Sequence, residues 1–97
     1  MLKPKQVAYL RSLANHIKPV CQVGKEGLSE NLLDTILNYL NKHELMKVSI
    51  LQNSIVEDYE FIRFVTDADI EFVAKIGRVF ILYKQSNDVT DPIKLPR

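Results

Sequence analysis

Cysteine is almost absent from this chain of 97 residues, where Cys21 stands alone. One thiol closes no internal disulfide and supplies no cysteine-based zinc site, which suits a reducing compartment. The two histidines, His16 and His43, lie far apart. Together with Cys21 they form neither a metal-ligand spacing nor a nucleophile motif. No run approaches the ~20 apolar residues that cross a bilayer. The opening Met1-Leu2-Lys3-Pro4-Lys5-Gln6 carries charge but lacks the apolar core of a signal peptide. Repeats and low-complexity stretches are missing too. These absences leave a cytoplasmic, monomeric protein with no cofactor, no metal and no membrane partner as the expectation.

What is present is ordinary in amount and uneven in arrangement. An apolar fraction of 46% with 26% charged residues excludes a disordered chain. Residues 1–97 suffice for one domain with a core of its own. The net charge is only +1, a weak argument against a nucleic-acid partner. Its distribution argues the other way. Residues 1–27 hold Lys3, Lys5, Arg11, Lys18 and Lys25 against Glu26 alone. Residues 55–75 hold Glu57, Asp58, Glu60, Asp67, Asp69 and Glu71 against Arg63 and Lys75. The split predicts one basic and one acidic surface, unless folding mixes the two segments in space.

Periodicity predicts three helices and four strands. Pro4 suits the first turn of a helix over residues 4–17, with Val7, Leu10, Leu13, Ala14 and Ile17 on one side. Lys5, Tyr9, Ser12 and His16 form a second stripe, and Arg11 and Lys18 a third line. Pro19 ends the helix, and residues 20–23 read as a short, buried, central strand. Ser29 is the expected N-cap of a helix over 30–42, with Leu28 and Leu33 spaced as a hydrophobic staple. Its buried stripe is Leu33, Ile36, Leu37 and Leu40. Residues 45–51 form the second strand.

A third helix over 55–66 is expected to bury Tyr59, Ile62 and Val65 and to turn its acids outward. Residues 70–76 alternate, with Ile70, Phe72, Ala74 and Ile76 facing one way. Gly77-Arg78 suits a type II′ turn into a fourth strand over 79–83. The proline-punctuated tail over 85–97 reads as extended or loose. The order α-β-α-β-α-β-β gives a compact α/β sandwich with a four-stranded mixed sheet.

The most specific local feature is Gly24-Lys25-Glu26-Gly27, set between the first strand and the second helix. Glycines at both ends permit positive φ or close backbone approach to a ligand. The following helix turns its unpaired N–H groups and positive dipole end back toward the loop. Such a site takes an anion, most simply a phosphate. No nucleotide-hydrolysing motif surrounds it. On local grounds alone, a plain strand-to-helix turn explains the same residues.

A wider set of residues resembles the CRM domain (chloroplast RNA splicing and ribosome maturation) in its single-domain, YhbY-type bacterial form. The matching words begin with Lys5-Gln6, Tyr9-Leu10-Arg11-Ser12-Leu13-Ala14 and Ile17-Lys18-Pro19-Val20. They continue with Gln22-Val23-Gly24-Lys25, Gly27-Leu28, His43-Glu44-Leu45-Met46-Lys47-Val48, Val73 with Ile76-Gly77, Val79, Leu82-Tyr83 and Leu95-Pro96-Arg97. The resemblance implies RNA binding and association with precursors of the large ribosomal subunit. It also implies a fold similar to the C-terminal domain of translation initiation factor three, with an added N-terminal helix. Two words depart from the pattern: Glu26 stands where the family loop commonly has glycine, and Thr66-Asp67-Ala68-Asp69 replaces a glycine-containing step.

The expected RNA-contacting residues are therefore Gly24, Lys25, Glu26 and Gly27, with Lys5, Tyr9, Arg11 and Lys18 on or after the first helix. The cations attract phosphates, and an exposed Tyr9 among them can stack on an unpaired base. Enzymatic activity is not expected, because the acids of the third helix lack the apolar enclosure that raises a carboxyl pKa. The alternative is a protein-interaction module whose acidic third helix docks a basic ribosomal or assembly protein.

Overall fold

In the computed structural model, which describes residues 2–97, Pro4 occupies the first turn of helix α1 (Pro4–Ala14), where a missing N–H costs nothing. The Lys3 N–H donates to Gln6 Oε1 at 2.9 Å and steadies the same end. The helix stops three residues short of the expected 17. The Asn15, His16 and Ile17 N–H groups donate instead to the carbonyls three residues back, tightening the chain into a 3₁₀-like exit. Pro19 explains this, because it disfavours helical backbone at the residue before it.

Strand β1 (Pro19–Val23) runs parallel to β2 (Leu45–Ile50), and with β3 (Glu71–Ile76) and β4 (Val79–Tyr83) the sheet order is β1-β2-β4-β3. The first strand is thus an edge strand, not the buried central one its composition suggests. Val23 is buried, while Val20 is 49% exposed. A four-residue run cannot distinguish edge from centre, since both read as short and apolar.

Helix α2 (Glu30–His43) starts as the sequence predicts: the Leu32 N–H donates to Ser29 Oγ at 3.1 Å, and Leu28 and Leu33 both pack on the core. Ile36 and Leu40 are fully buried on its inner stripe.

Helix α3 (Asp58–Thr66) begins three residues later than expected. The Glu57 N–H donates to Glu60 Oε1 at 2.9 Å, which fixes the start at Glu57 and sets the rotation of the helix. Phe61 and Val65 therefore point inward, and Tyr59, expected in the core, is 71% exposed. The helix ends in a Schellman arrangement, with Asp69 N–H to the Thr66 carbonyl and Ile70 N–H to the Val65 carbonyl, each 3.1 Å. Asp69 holds the left-handed position at φ 61°, where glycine is usual.

The hairpin of β3 (Glu71–Ile76) and β4 (Val79–Tyr83) turns at Gly77, whose φ of 61° fits the predicted type II′ turn. The predicted alternation of β3 fails at its middle. A bulge between Phe72 and Ala74 leaves Val73 unpaired, so Val73 and Ala74 both face α1. Ile76 is turned to the surface and is half exposed.

Helices cover both faces of the sheet. Under α2 and α3 lies the larger core, built on Ile36, Leu40, Met46, Val48, Phe61 and Phe80. Phe61 meets Phe80 edge to face, centroids 4.9 Å apart. Under α1 lies a smaller core of Leu10, Ala14, Leu45, Val73, Ile81 and Tyr83.

The tail forms no helix or strand, but it is not loose. Ile93 and Leu95 pack into the smaller core, and Gln6 Nε2 donates to the Pro96 carbonyl at 3.0 Å. Its anchor is Glu44, 1% exposed, in left-handed backbone (φ 65°) at the end of α2. One carboxylate oxygen accepts the Ser86 N–H and the other the Ile93 N–H, each at 2.7 Å. Burial, then the Glu44 and Glu71 carboxylates, push the neighbouring Tyr83 phenol above its ordinary value, so it remains a neutral core residue.

Glu44→Gln keeps the shape but turns an amide NH₂ toward one of those N–H donors. We expect a loss of about 2 kcal/mol in urea unfolding and faster proteolysis within 85–97. An unchanged midpoint would contradict the anchoring role.

Candidate nucleic-acid interface

The loop is defined by where β1 lets go of the sheet. The Val23 carbonyl still accepts the Leu51 N–H at 2.9 Å, and the chain then turns. The Gly27 N–H donates to the Gly24 carbonyl at 3.1 Å, closing a β-turn that holds Lys25 and Glu26 at its exposed tip. Gly27 sits at φ 71°, a left-handed position that favours glycine. Gly24 does not. Its φ is outside that region, and an added Cβ would meet only Leu51 Cδ1 at an ordinary 3.6 Å. Of the two glycines expected to need backbone freedom, one does.

Ser29 Oγ takes the Leu32 N–H, so the first turn of α2 keeps the N–H groups of Glu30 and Asn31 for solvent or a ligand. Beside them opens a cleft of about 500 Å³, lined by the loop, Gln22 and Cys21 of β1, and Ser29, Asn31 and Thr35. Lys25 and Glu26 both border it. Neither belongs to the ion pairs among the described residues, which are Arg63–Asp67 at 3.9 Å and Lys75–Asp58 at 2.7 Å. Burial pushes the Cys21 thiol up, against an opposing hydrogen bond from the Gln22 backbone. The sulfur on the cleft wall is accordingly held toward its protonated, weakly nucleophilic form.

The other expected contact residues are not gathered around this loop. Lys18 lies at the far end of β1, roughly 20 Å away at strand rise. Arg11 borders a shallow hollow with Ser12, Asn15 and Ile76, beside the opposite edge of the sheet. Lys5, Tyr9 and Ser12 lie on exposed α1 surface, with Tyr9 39% exposed, and His16 is exposed in the exit that follows. These residues are spread along α1 and out to the end of β1, apart from the loop.

Two further cations belong to that description. Lys47 is half-buried on the α1 side of β2, and the register sets it opposite Pro19, next to Lys18. Arg78 donates from Nε to the Ile50 carbonyl (2.8 Å) and from Nη2 to the Leu51 carbonyl (3.1 Å), at the strand end beside Gly24. Lys47 reads in sequence as the polar residue of an alternating strand, and Arg78 as a hairpin tip. Only strand register sets Lys47 opposite Pro19 and Arg78 against the end of β2.

The acidic segment divides. Helix α3 carries Glu57, Asp58 and Glu60 on the sheet face opposite α1. Asp69 and Glu71 come instead to a hollow beside Leu2 and Gln6, at the start of α1. Charge separation therefore holds for α3 against the later part of α1 on the opposite sheet face, whereas Gly27 of the loop lies against Val56, next to Glu57. Among the described residues, no group of three or more His, Cys, Asp or Glu could hold a metal ion. Nor, among the described residues, is any helix long and apolar enough to cross a membrane.

This arrangement has close relatives. The chain is 38% identical over 97 residues to YqeI of Bacillus subtilis, named a probable RNA-binding protein, covering 99% of this chain and 100% of that one. It is 36% identical over 97 residues to a protein of Haemophilus influenzae named RNA-binding protein, covering 99% and 96%. The solution structure of SAV1595 from Staphylococcus aureus, a candidate RNA-binding protein, superposes with a TM-score of 0.80 at 39% identity. That likeness covers 99% of this chain and 100% of the other. The CRS1/YhbY (CRM) domain model matches residues 2–84, and the chain belongs to that family.

Proposed function

We propose that this protein binds RNA as a cytoplasmic monomer without enzymatic activity, and that its target is ribosomal RNA in precursors of the large subunit. The observation that carries the reading is the loop. A closed glycine turn carries Lys25 at its tip, and Asn31, whose backbone N–H the helix leaves unpaired, borders the same cleft. A phosphate there meets backbone donors, a helix dipole and one cation. Lys18, Lys47 and Arg11 extend the attraction across the α1 side. Glu26 opposes it, at a cost on the order of 1 kcal/mol after screening. The names of the relatives support RNA as the partner, and the family resemblance supports the ribosomal target.

Lys25→Ala should weaken binding to a ribosomal RNA fragment by about 1 kcal/mol and lower the salt slope by roughly 0.7 to 0.9. Fluorescence anisotropy at several salt concentrations reads both. An unchanged slope would remove Lys25 from the phosphate site.

The two glycines should separate fold from function. Gly27→Ala strains left-handed backbone and should cost roughly 1 to 2 kcal/mol of stability. Gly24→Ala should leave the thermal midpoint within the range of a neutral surface change, about 0.5 kcal/mol, yet weaken RNA binding by crowding the cleft. Equal affinity of Gly24→Ala and wild type would mean that no ligand approaches this backbone.

A second reading rests on α3 and the segment leading into it, where Ile55 is 86% exposed and Tyr59 71% exposed near Glu57, Asp58 and Glu60. Apolar surface ringed by acids suits a basic protein. Charge reversal at Arg11 and Lys18 should weaken naked-RNA binding, whereas neutralising Glu57, Asp58 and Glu60 should not. If the acidic variant instead loses association with ribosomal particles while keeping RNA affinity, α3 has a protein partner.

A further inference from the structure

The loop cleft does not end at α2's first turn. A second cleft of about 390 Å³ continues it along the same strand and helix, and Cys21 and Thr35 line both. Its strand side is Val20, and its helix side is Asn38, Tyr39, Lys42 and His43. Tyr39 and His43 are already stacked, with ring centroids 4.3 Å apart and planes tilted by 31°. Tyr39 is half-buried against the larger core, and His43 is exposed.

Resting on the RNA reading above, we propose that this continuous groove takes a single-stranded RNA segment, its phosphate at the 24–27 loop and an unpaired base on the Tyr39–His43 pair.

Four observations converge on that occupant. The aromatic pair offers a rigid face on which any base can extend the stack. Lys25 stands at one end of the groove and Lys42 at the other, so both ends favour a polyanion. The Val23 backbone is turned toward β2, so alternation turns the Gln22 carbonyl to the free edge, where it can accept from a base amino group. Asn38 and Thr35 add an amide and a hydroxyl on the facing helix. From Ser29 to Tyr39 the helix rises roughly 15 Å, room for a few nucleotides of extended strand. A paired A-form duplex cannot use this groove, because its bases are already stacked and its edges are engaged.

The test compares a short single-stranded oligoribonucleotide carrying 2-aminopurine with the same strand annealed to its complement. Tyr39→Leu keeps apolar packing and removes the stacking face, and His43→Ala removes an exposed ring. Wild type should bind the single strand more tightly than the duplex and quench 2-aminopurine. Each variant should bind the single strand about tenfold less tightly, lose the quench, and keep the wild-type salt slope and melting temperature.

Wild-type affinity in both variants, with Lys25→Ala still weakened, would overturn the groove and leave the phosphate reading intact. Preference of wild type for duplex would overturn the groove as well. Indifference of binding to Lys25 and to both rings would overturn both. Should Tyr39→Leu lower the melting temperature, His43→Ala alone decides.

Discussion

Parallel pairing of β1 with β2 is the constraint from which the rest of the molecule follows. Two parallel neighbours cannot be joined by a hairpin, so the chain must cross over, and α2 is the crossover. The departure from β1 is therefore both the carboxyl end of a strand and the approach to a helix N-terminus. Open α/β sheets bind ligands at such ends. The glycine turn is what lets the chain reverse there within a few residues, and Gly27 at φ 71° is the residue that permits it.

The crossover is held at both ends, which makes it a wall and not a flap. Ser29 caps its start, and Glu44 closes its finish in left-handed backbone with the Glu44 N–H on the Leu40 carbonyl at 2.8 Å. The same Glu44 carboxylate fastens the tail, whose Ile93 and Leu95 complete the core under α1. A buried carboxylate accepting two backbone N–H groups at 2.7 Å links the α2 wall, β2 and the tail. With β1 at the sheet edge, none of the described residues closes over the groove between that strand and α2. The edge position that looks like a weakness in the sheet is what leaves a ligand path open.

The elements that were legible in the sequence are those set by local chemistry. Ser29, Leu28 and Leu33 mark a helix start whatever lies around them, and Gly77 marks a hairpin turn. The order of helices and strands followed from these marks and from periodicity. The loop stood out because glycines, a lysine and a helix start share a few residues. What escaped was set by non-local pairing. The bulge at Val73 depends on β4, and the edge position of β1 depends on the order of all four strands. Tyr59 was misplaced because a Glu57–Glu60 cap fixed the rotation of α3, and both acids read equally well as surface. Glu44 falls within a family-matching word, but its burial and its hold on the tail gave no signal, since charged residues are ordinarily exposed. Lys47, Arg78 and the Tyr39–His43 pair reach their surfaces only through register and helix packing.

The central claim is that RNA meets this protein at the carboxyl end of β1 and along the outer wall of α2. Amide chemical-shift mapping, by titrating ¹⁵N-labelled protein with a single-stranded ribosomal RNA fragment, tests it most directly. The account predicts that the largest shifts fall on Gln22, Lys25, Gly27, Glu30 and Asn31, and continue to Tyr39 and His43. Shifts concentrated at Ile55, Glu57 and Tyr59 with a silent glycine turn would contradict it.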